Sequence, residues 1–165
     1  MAKTAKQHKV VGEDYLRTAK QPGAAHRFPY PPQMVWNALL DAKAWSEWLK
    51  AIERVEWTSP QPWGVGTTRT VHVSGGNRIE EVFFAWDQCE RMAFYFDRTT
   101  LPISAGIEDY TVRKAPGGSE LVWTGKASAP LILGWVITKG LTKGIASGLP
   151  DLEKLIASDP ERFGG

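Results

Sequence analysis

Thr67-Thr68-Arg69-Thr70-Val71-His72-Val73, then Ser74-Gly75-Gly76-Asn77, then Arg78-Ile79-Glu80-Glu81-Val82-Phe83-Phe84-Ala85-Trp86 reads as strand, turn and strand. The first segment is rich in β-branched residues that alternate in side, and Gly-Gly-Asn supplies the positive-φ positions of a tight hairpin. A hairpin makes the sheet antiparallel. The same period of two continues outward. Val55–Trp57 precedes it, and Met92–Phe96, Ile103–Arg113 and Glu120–Ala127 follow, the last two joined by the turn Ala115-Pro116-Gly117-Gly118. Ala24–Tyr30 is a further, first strand, stopped by Pro29, Pro31 and Pro32.

Helical spacing flanks the strands. Pro32 suits a first helical turn, and Val35, Trp36, Leu39 and Leu40 follow at helical intervals. Asp41 is placed to cap a second short helix carrying Trp45, Trp48, Leu49 and Ile52. After Pro130 the pattern is helical over 131–157, with Pro150 expected to break or restart it. This order predicts an α+β fold, with about seven antiparallel strands curved around one long C-terminal helix and two short helices after the first strand. Leu131, Trp135, Ile145, Leu152 and Leu155 are expected on the buried side of the long helix. A sheet curled around a single helix leaves room between them, which is the natural place for a ligand.

The length, 165 residues, fits one domain. Residues 1–23 are polar and read as a mobile tail, 24–157 as the domain, and 158–165 as a C-terminal tail. A net charge of +2 does not point to nucleic acid, and the run Lys3, Lys6, His8, Lys9 reads as solvated. Cys89 is the single cysteine, so an internal disulfide is excluded. The N-terminus lacks the apolar core of a signal peptide and Leu131–Ile137 is too short to span a bilayer, which makes the cytoplasm the expected compartment and integral membrane association unexpected. His8, His26 and His72 show no metal-ligand spacing, and no cofactor is expected. A homodimer stays open. Eight tryptophans are the compositional oddity; large aromatics fill cores and also line pockets for apolar ligands.

Several segments, in order, resemble the START-like (SRPBCC) superfamily of polyketide cyclases, pollen-allergen relatives and lipid-transfer domains. Val35-Trp36-Asn37-Ala38-Leu39-Leu40-Asp41 with Trp45 and Trp48 resembles its opening signature. Gly64-Val65-Gly66-Thr67-Thr68-Arg69 resembles its glycine turn into a strand, Trp86-Asp87 with Arg91-Met92-Ala93 a later turn, and Gly117-Gly118-Ser119-Glu120-Leu121-Val122-Trp123 its last hairpin. The resemblance covers about residues 24–157 and implies the helix-grip fold with an internal pocket for a small hydrophobic molecule. These are packing and turn motifs, so they imply no particular activity.

Strand parity nominates the pocket residues. Arg69, Val71 and Val73 share a face, and the valines favour it as inward; an inward Arg69 can hold a carboxylate or enolate oxygen, an outward one pairs at the surface. His72 falls outward. Glu108, Tyr110 and Val112 share a face, as do Leu121, Trp123 and Gly125; if inward, Glu108 and Tyr110 are the polar groups of the pocket, and a buried Glu108 has a raised pKa. Phe84, Trp36 and Trp135 complete the candidate lining. Both faces of 78–86 carry aromatics, so whether Glu80 or Glu81 faces inward stays open; a bulge can turn either one. Gly140, Gly144 and Gly148 read as close packing of the long helix against bulky aromatics. Three functions compete: a carrier or sensor of a hydrophobic molecule, which needs only the pocket; a cyclase or dehydratase, which needs an inward residue with a tuned pKa; and a protein-interaction module, which needs an exposed apolar patch.

Overall fold

The computed structural model describes residues 3–20 and 23–164. In chain order the elements are β1 (Lys6–Gln7), α1 (Glu13–Leu16), β2 (Ala24–Phe28), α2 (Pro32–Leu40), α3 (Ala44–Trp48), β3 (Ile52–Trp57), β4 (Thr68–Val73), β5 (Asn77–Asp87), β6 (Arg91–Thr99), β7 (Ala105–Ala115), β8 (Gly118–Ser128) and α4 (Leu133–Ser158), with a 3-10 turn at Glu161–Phe163. The sheet runs β2-β8-β7-β6-β5-β4-β3, antiparallel at every step, with β1 paired to β6. The sheet curves and α4 lies in its concave face, the helix-grip arrangement.

The central hairpin sets the register. Gly75 and Gly76 both take positive φ, and Val73 pairs with Asn77. Counting back along the ladder puts Arg69 directly opposite Glu81, and Val71 opposite Ile79. A register shift in the β5–β6 pairing between Phe83 and Ala85 then interrupts the alternation. Phe83 is fully buried, Phe84 is half-exposed, and Trp86 packs edge-to-face on Trp36.

Pro32 opens α2, whose Val35, Trp36, Ala38 and Leu39 have no exposure. The Oδ1 of Asp41 accepts the backbone N–H of Lys43 at 2.9 Å, at the entry to α3. The indoles of Trp45 and Trp57 donate to the carbonyls of Leu39 and Leu40, each at 2.9 Å, and so pin the end of α2 to α3 and to β3 of the sheet.

Helix α4 departs from expectation in two respects. It runs unbroken through Pro150; Ala146, whose carbonyl loses its partner, is exposed and open to water. Ile145 and Leu152 are buried as expected and Leu155 is half-buried, but Leu131 precedes the helix and, with Trp135, is exposed. The cause is local. Gly134 and Thr138 are the residues facing β8: the Thr138 hydroxyl accepts the N–H of Ala127 at 3.0 Å, and a Cβ on Gly134 would stand 2.8 Å from the nitrogen of Ala129. That contact turns Trp135 and Val136 outward.

The termini also depart from the mobile tails expected of 1–23 and 158–165. Residues 1, 2, 21, 22 and 165 lie outside the described residues. Of the rest, Ala5 and Leu16 are buried, the hydroxyls of Tyr15 and Ser128 meet at 2.5 Å, and Arg91 bridges Glu13 and Asp109. At the other end Phe163 is fully buried, and Arg162 holds Asp41 at 2.7 Å and Glu47 at 2.9 Å. Widely spaced single apolar residues dock both segments, a pattern without a period.

Candidate functional site

A cavity of about 230 Å³ lies between the concave sheet and the first half of α4. Its floor comes from alternating residues of the strands: Arg69, Val71 and Val73 of β4, Ile79 and Glu81 of β5, and Glu108 and Tyr110 of β7. Trp45, Leu49, Ala51 and Ile52 close one side, and Ile137, Gly140, Leu141, Gly144 and Ile145 form the roof. The glycines have two distinct roles. A Cβ at Gly148 would meet the Trp48 ring at 3.0 Å, so the helix is pressed close there, as expected. A Cβ at Gly140 or Gly144 would meet nothing within 4 Å. The close packing expected at those two positions is absent; their missing side chains keep the cavity open.

Polar chemistry is confined to the floor. The Arg69 guanidinium is 2% exposed; its Nε donates to Glu81 Oε2 at 2.7 Å and its Nη2 lies 2.6 Å from the same oxygen. Around it stand the rings of Trp45 at 4.7 Å, Phe94 at 4.8 Å, and Trp57 and Phe83 at 5.3 Å, an aromatic box that suits a weakly hydrated cation. Its remaining nitrogen, Nη1, is buried with no hydrogen-bond partner among the described residues. Next to this pair, Glu108 Oε2 accepts the Trp123 indole N–H and the Tyr110 hydroxyl, each at 3.0 Å. Glu108 pairs across the sheet with Gly125, where a Cβ would stand 2.3 Å from the Trp123 ring; the glycine is what lets the indole reach the carboxyl.

One cation thus faces two buried carboxyls. Burial raises the Glu81 pKa to about 7, with Arg69 pulling it down and the neighbouring Glu108 pushing it up. Burial also raises Glu108, against the hydrogen bonds from Trp123 and Tyr110 and the charge of Arg69. Tyr110 is held well above its ordinary value by burial and by Glu108. Burial thus holds both carboxyls above their ordinary range although they share one cation.

The structure brings four of the eight candidate residues to the cavity: Arg69, Val71, Glu108 and Tyr110. Trp123 is buried behind Glu108 and acts on the cavity through it. Trp36 is core, Phe84 is turned out of the concave face by the same alternation that turns Ile79, Glu81 and Phe83 inward, and Trp135 is exposed beside Lys139. Of the open pair, Glu81 faces the cavity, while Glu80 lies beside Arg78 and Arg98 on the other face. Strand parity does not reveal the aromatic box around Arg69, although a count from the Gly75-Gly76 turn puts Arg69 and Glu81 opposite each other.

The sheet order and its long helix coincide with a known fold. The model of a family described as polyketide cyclase/dehydrase and lipid transport matches residues 24–157, from β2 almost to the end of α4. The chain belongs to that family. Among relatives of this polyketide cyclase/dehydrase and lipid transport member, the uncharacterized proteins Rv2574 of Mycobacterium tuberculosis and Mb2604 of Mycobacterium bovis are each 44% identical over 94 residues, 56% of this chain. That match spans about half the length of those relatives, 56%. Among solved structures, the Zhui aromatase/cyclase of Streptomyces sp. R1128 superposes with a TM-score of 0.69 at 14% identity, covering 86% of this chain and 95% of that one. TTHA0849 of Thermus thermophilus gives 0.67 at 20% identity, covering 82% and 95%. Likeness at these identities is a likeness of fold. Among the described residues no helix is long and apolar enough to cross a membrane.

Proposed function

We propose that the chain binds a small, largely apolar molecule bearing one hydrogen-bond-accepting oxygen, in the cavity under α4, and acts as its carrier or sensor. The observation that carries this reading is Arg69, which stands in the cavity floor with Glu81, Glu108 and Tyr110 under an apolar roof and whose buried Nη1 has no hydrogen-bond partner among the described residues. A buried donor left unpaired costs about 1–3 kcal/mol, a cost that a ligand oxygen removes. The volume is below the roughly 300–1,000 Å³ of sites for drug-sized ligands, so the fit is to a compact molecule, or to a larger one if the α4 roof lifts. Membership of a family described by cyclase, dehydrase and lipid transport supports a hydrophobic ligand of either kind.

Filling the space above Gly144 tests it. Gly144→Leu puts a side chain into the opening and removes a helix glycine, which by itself is worth about 1 kcal/mol of stability. The variant is expected to melt higher than the parent and to lose saturable binding of fatty acids, sterols and aromatic polyketides, read by tryptophan fluorescence. Unchanged binding in Gly144→Leu, or no saturable binding in the parent, would count against the cavity as the site.

A cyclase or dehydratase is the second reading, favoured by one observation: a buried carboxyl, Glu81, lines the cavity, and burial pushes its pKa up to about 7, where a carboxyl serves as either acid or base. It differs from the first in requiring turnover that Glu81→Gln removes while binding persists.

A further inference from the structure

At the start of α4, Leu131 is 98% exposed, Ile132 76%, Trp135 66% and Val136 46%. Monomers seldom present so many large apolar side chains in one place without a use for them. Leu131 is moreover held at φ 55°, a left-handed conformation uncommon for a leucine, with its side chain in solvent.

The surroundings are basic. The hollow on one side of Leu131–Leu133 is lined by Lys6 and His8, and the hollow beside Trp135 by Lys20 and Lys126. Lys139 lies 5.0 Å from the Trp135 ring centroid, and Lys143 follows one turn later on the same side of the helix. Among the described residues no acidic side chain lines either hollow, and residues 121–150 contain three lysines and no Asp or Glu. Trp and Leu at the tip with lysines around them is the composition of a surface that sits in the headgroup region of a bilayer, apolar groups in the acyl boundary and ammonium groups at the phosphates.

We infer that the exposed start of α4 docks the protein on an anionic lipid bilayer. The charge ring selects this occupant over a second copy of the chain, since two copies meeting through the patch would bring like-charged rings together. The contact is peripheral. It would set Ile137 and Gly140, which roof the cavity, within about two turns of the lipid surface. The inference stands whether or not the cavity is a ligand site.

Co-sedimentation of the full chain with large unilamellar vesicles tests it. Vesicles of phosphatidylcholine with about 30 mol% phosphatidylglycerol should pull the protein down, phosphatidylcholine alone should not, and raising salt from about 0.1 M to about 0.5 M should release it. Lys139→Gln/Lys143→Gln should weaken binding about 25-fold, at about fivefold per lysine. Ile132→Ser/Trp135→Ser should weaken it at least about tenfold. All four residues are solvent-facing, so melting temperatures should be unchanged. Equal sedimentation with both vesicles, none with either, or binding that persists in both variants would overturn the inference. So would a lipid-free dimer, seen by light scattering, that Ile132→Ser/Trp135→Ser abolishes.

Discussion

Glu81→Leu should destabilise the protein by about 3–5 kcal/mol, and adding Arg69→Met to it should restore most of the loss. The single change leaves a guanidinium 2% exposed without the oxygen that takes two of its nitrogens. Arginine has no accessible neutral form, so the charge stays buried, relieved only through Glu108 and the four rings around it. The reverse single change, Arg69→Met, should cost less, about 1–3 kcal/mol, because Glu81 can take up a proton and be buried neutral. Replacing both leaves an apolar pair of similar volume at facing positions of β4 and β5. Urea unfolding of the three variants gives the cycle directly, provided the slope with denaturant is common to all. Additive losses would show that the two side chains are not coupled.

Stability should rise as pH is lowered from about 8 to about 5, opposite to the usual acid response. The sign follows from Glu81. Its folded pKa, about 7, lies above the ordinary 4.5, so between those values the folded chain holds the extra proton and the unfolded chain does not. Each step up in pH through that window therefore favours unfolding, and above about 7 the dependence ends. The full difference is on the order of 3 kcal/mol. Glu108, also raised by burial, acts in the same direction. Asp41, held below its ordinary value by Arg162 and two backbone N–H groups against the opposing effect of burial, contributes stability that is lost only at lower pH, as it protonates. Melting temperature against pH should thus peak on the acid side of neutrality, and Glu81→Gln should flatten the limb between about 5 and about 7. A parent curve flat across that window would contradict the raised carboxyl.

The hairpin at 67–86 is readable in the sequence because two glycines and an alternation of β-branched residues leave little choice of register. Arg69 is readable as inward because Val71 and Val73 share its side. Parity misplaces Phe84 for the same reason that it leaves Glu81 open: β5 carries apolar residues on both faces, so composition does not identify the inner one, and the register shift beyond Phe83 reverses parity for Trp86. Burial of Leu131 and Trp135 is an expectation from helical spacing alone. Spacing gives the angle between side chains and not which of them meets the sheet; the Gly134 and Thr138 contact with β8 decides that. The open roof at Gly140 and Gly144 has no sequence signal that separates it from the packed glycine at 148, because the difference lies in what stands across from each.

If Arg69 Nη1 is held for an oxygen from a ligand, two ligands alike in shape and different in one carbonyl should be told apart. Calorimetric titration with 2-acetylnaphthalene and 2-ethylnaphthalene makes that comparison most directly. The ketone should bind at least about tenfold more tightly, the worth of one hydrogen bond to a charged donor, and Arg69→Met/Glu81→Leu should reduce the two to equal affinity. Equal affinities in the parent protein would contradict a ligand oxygen at Arg69.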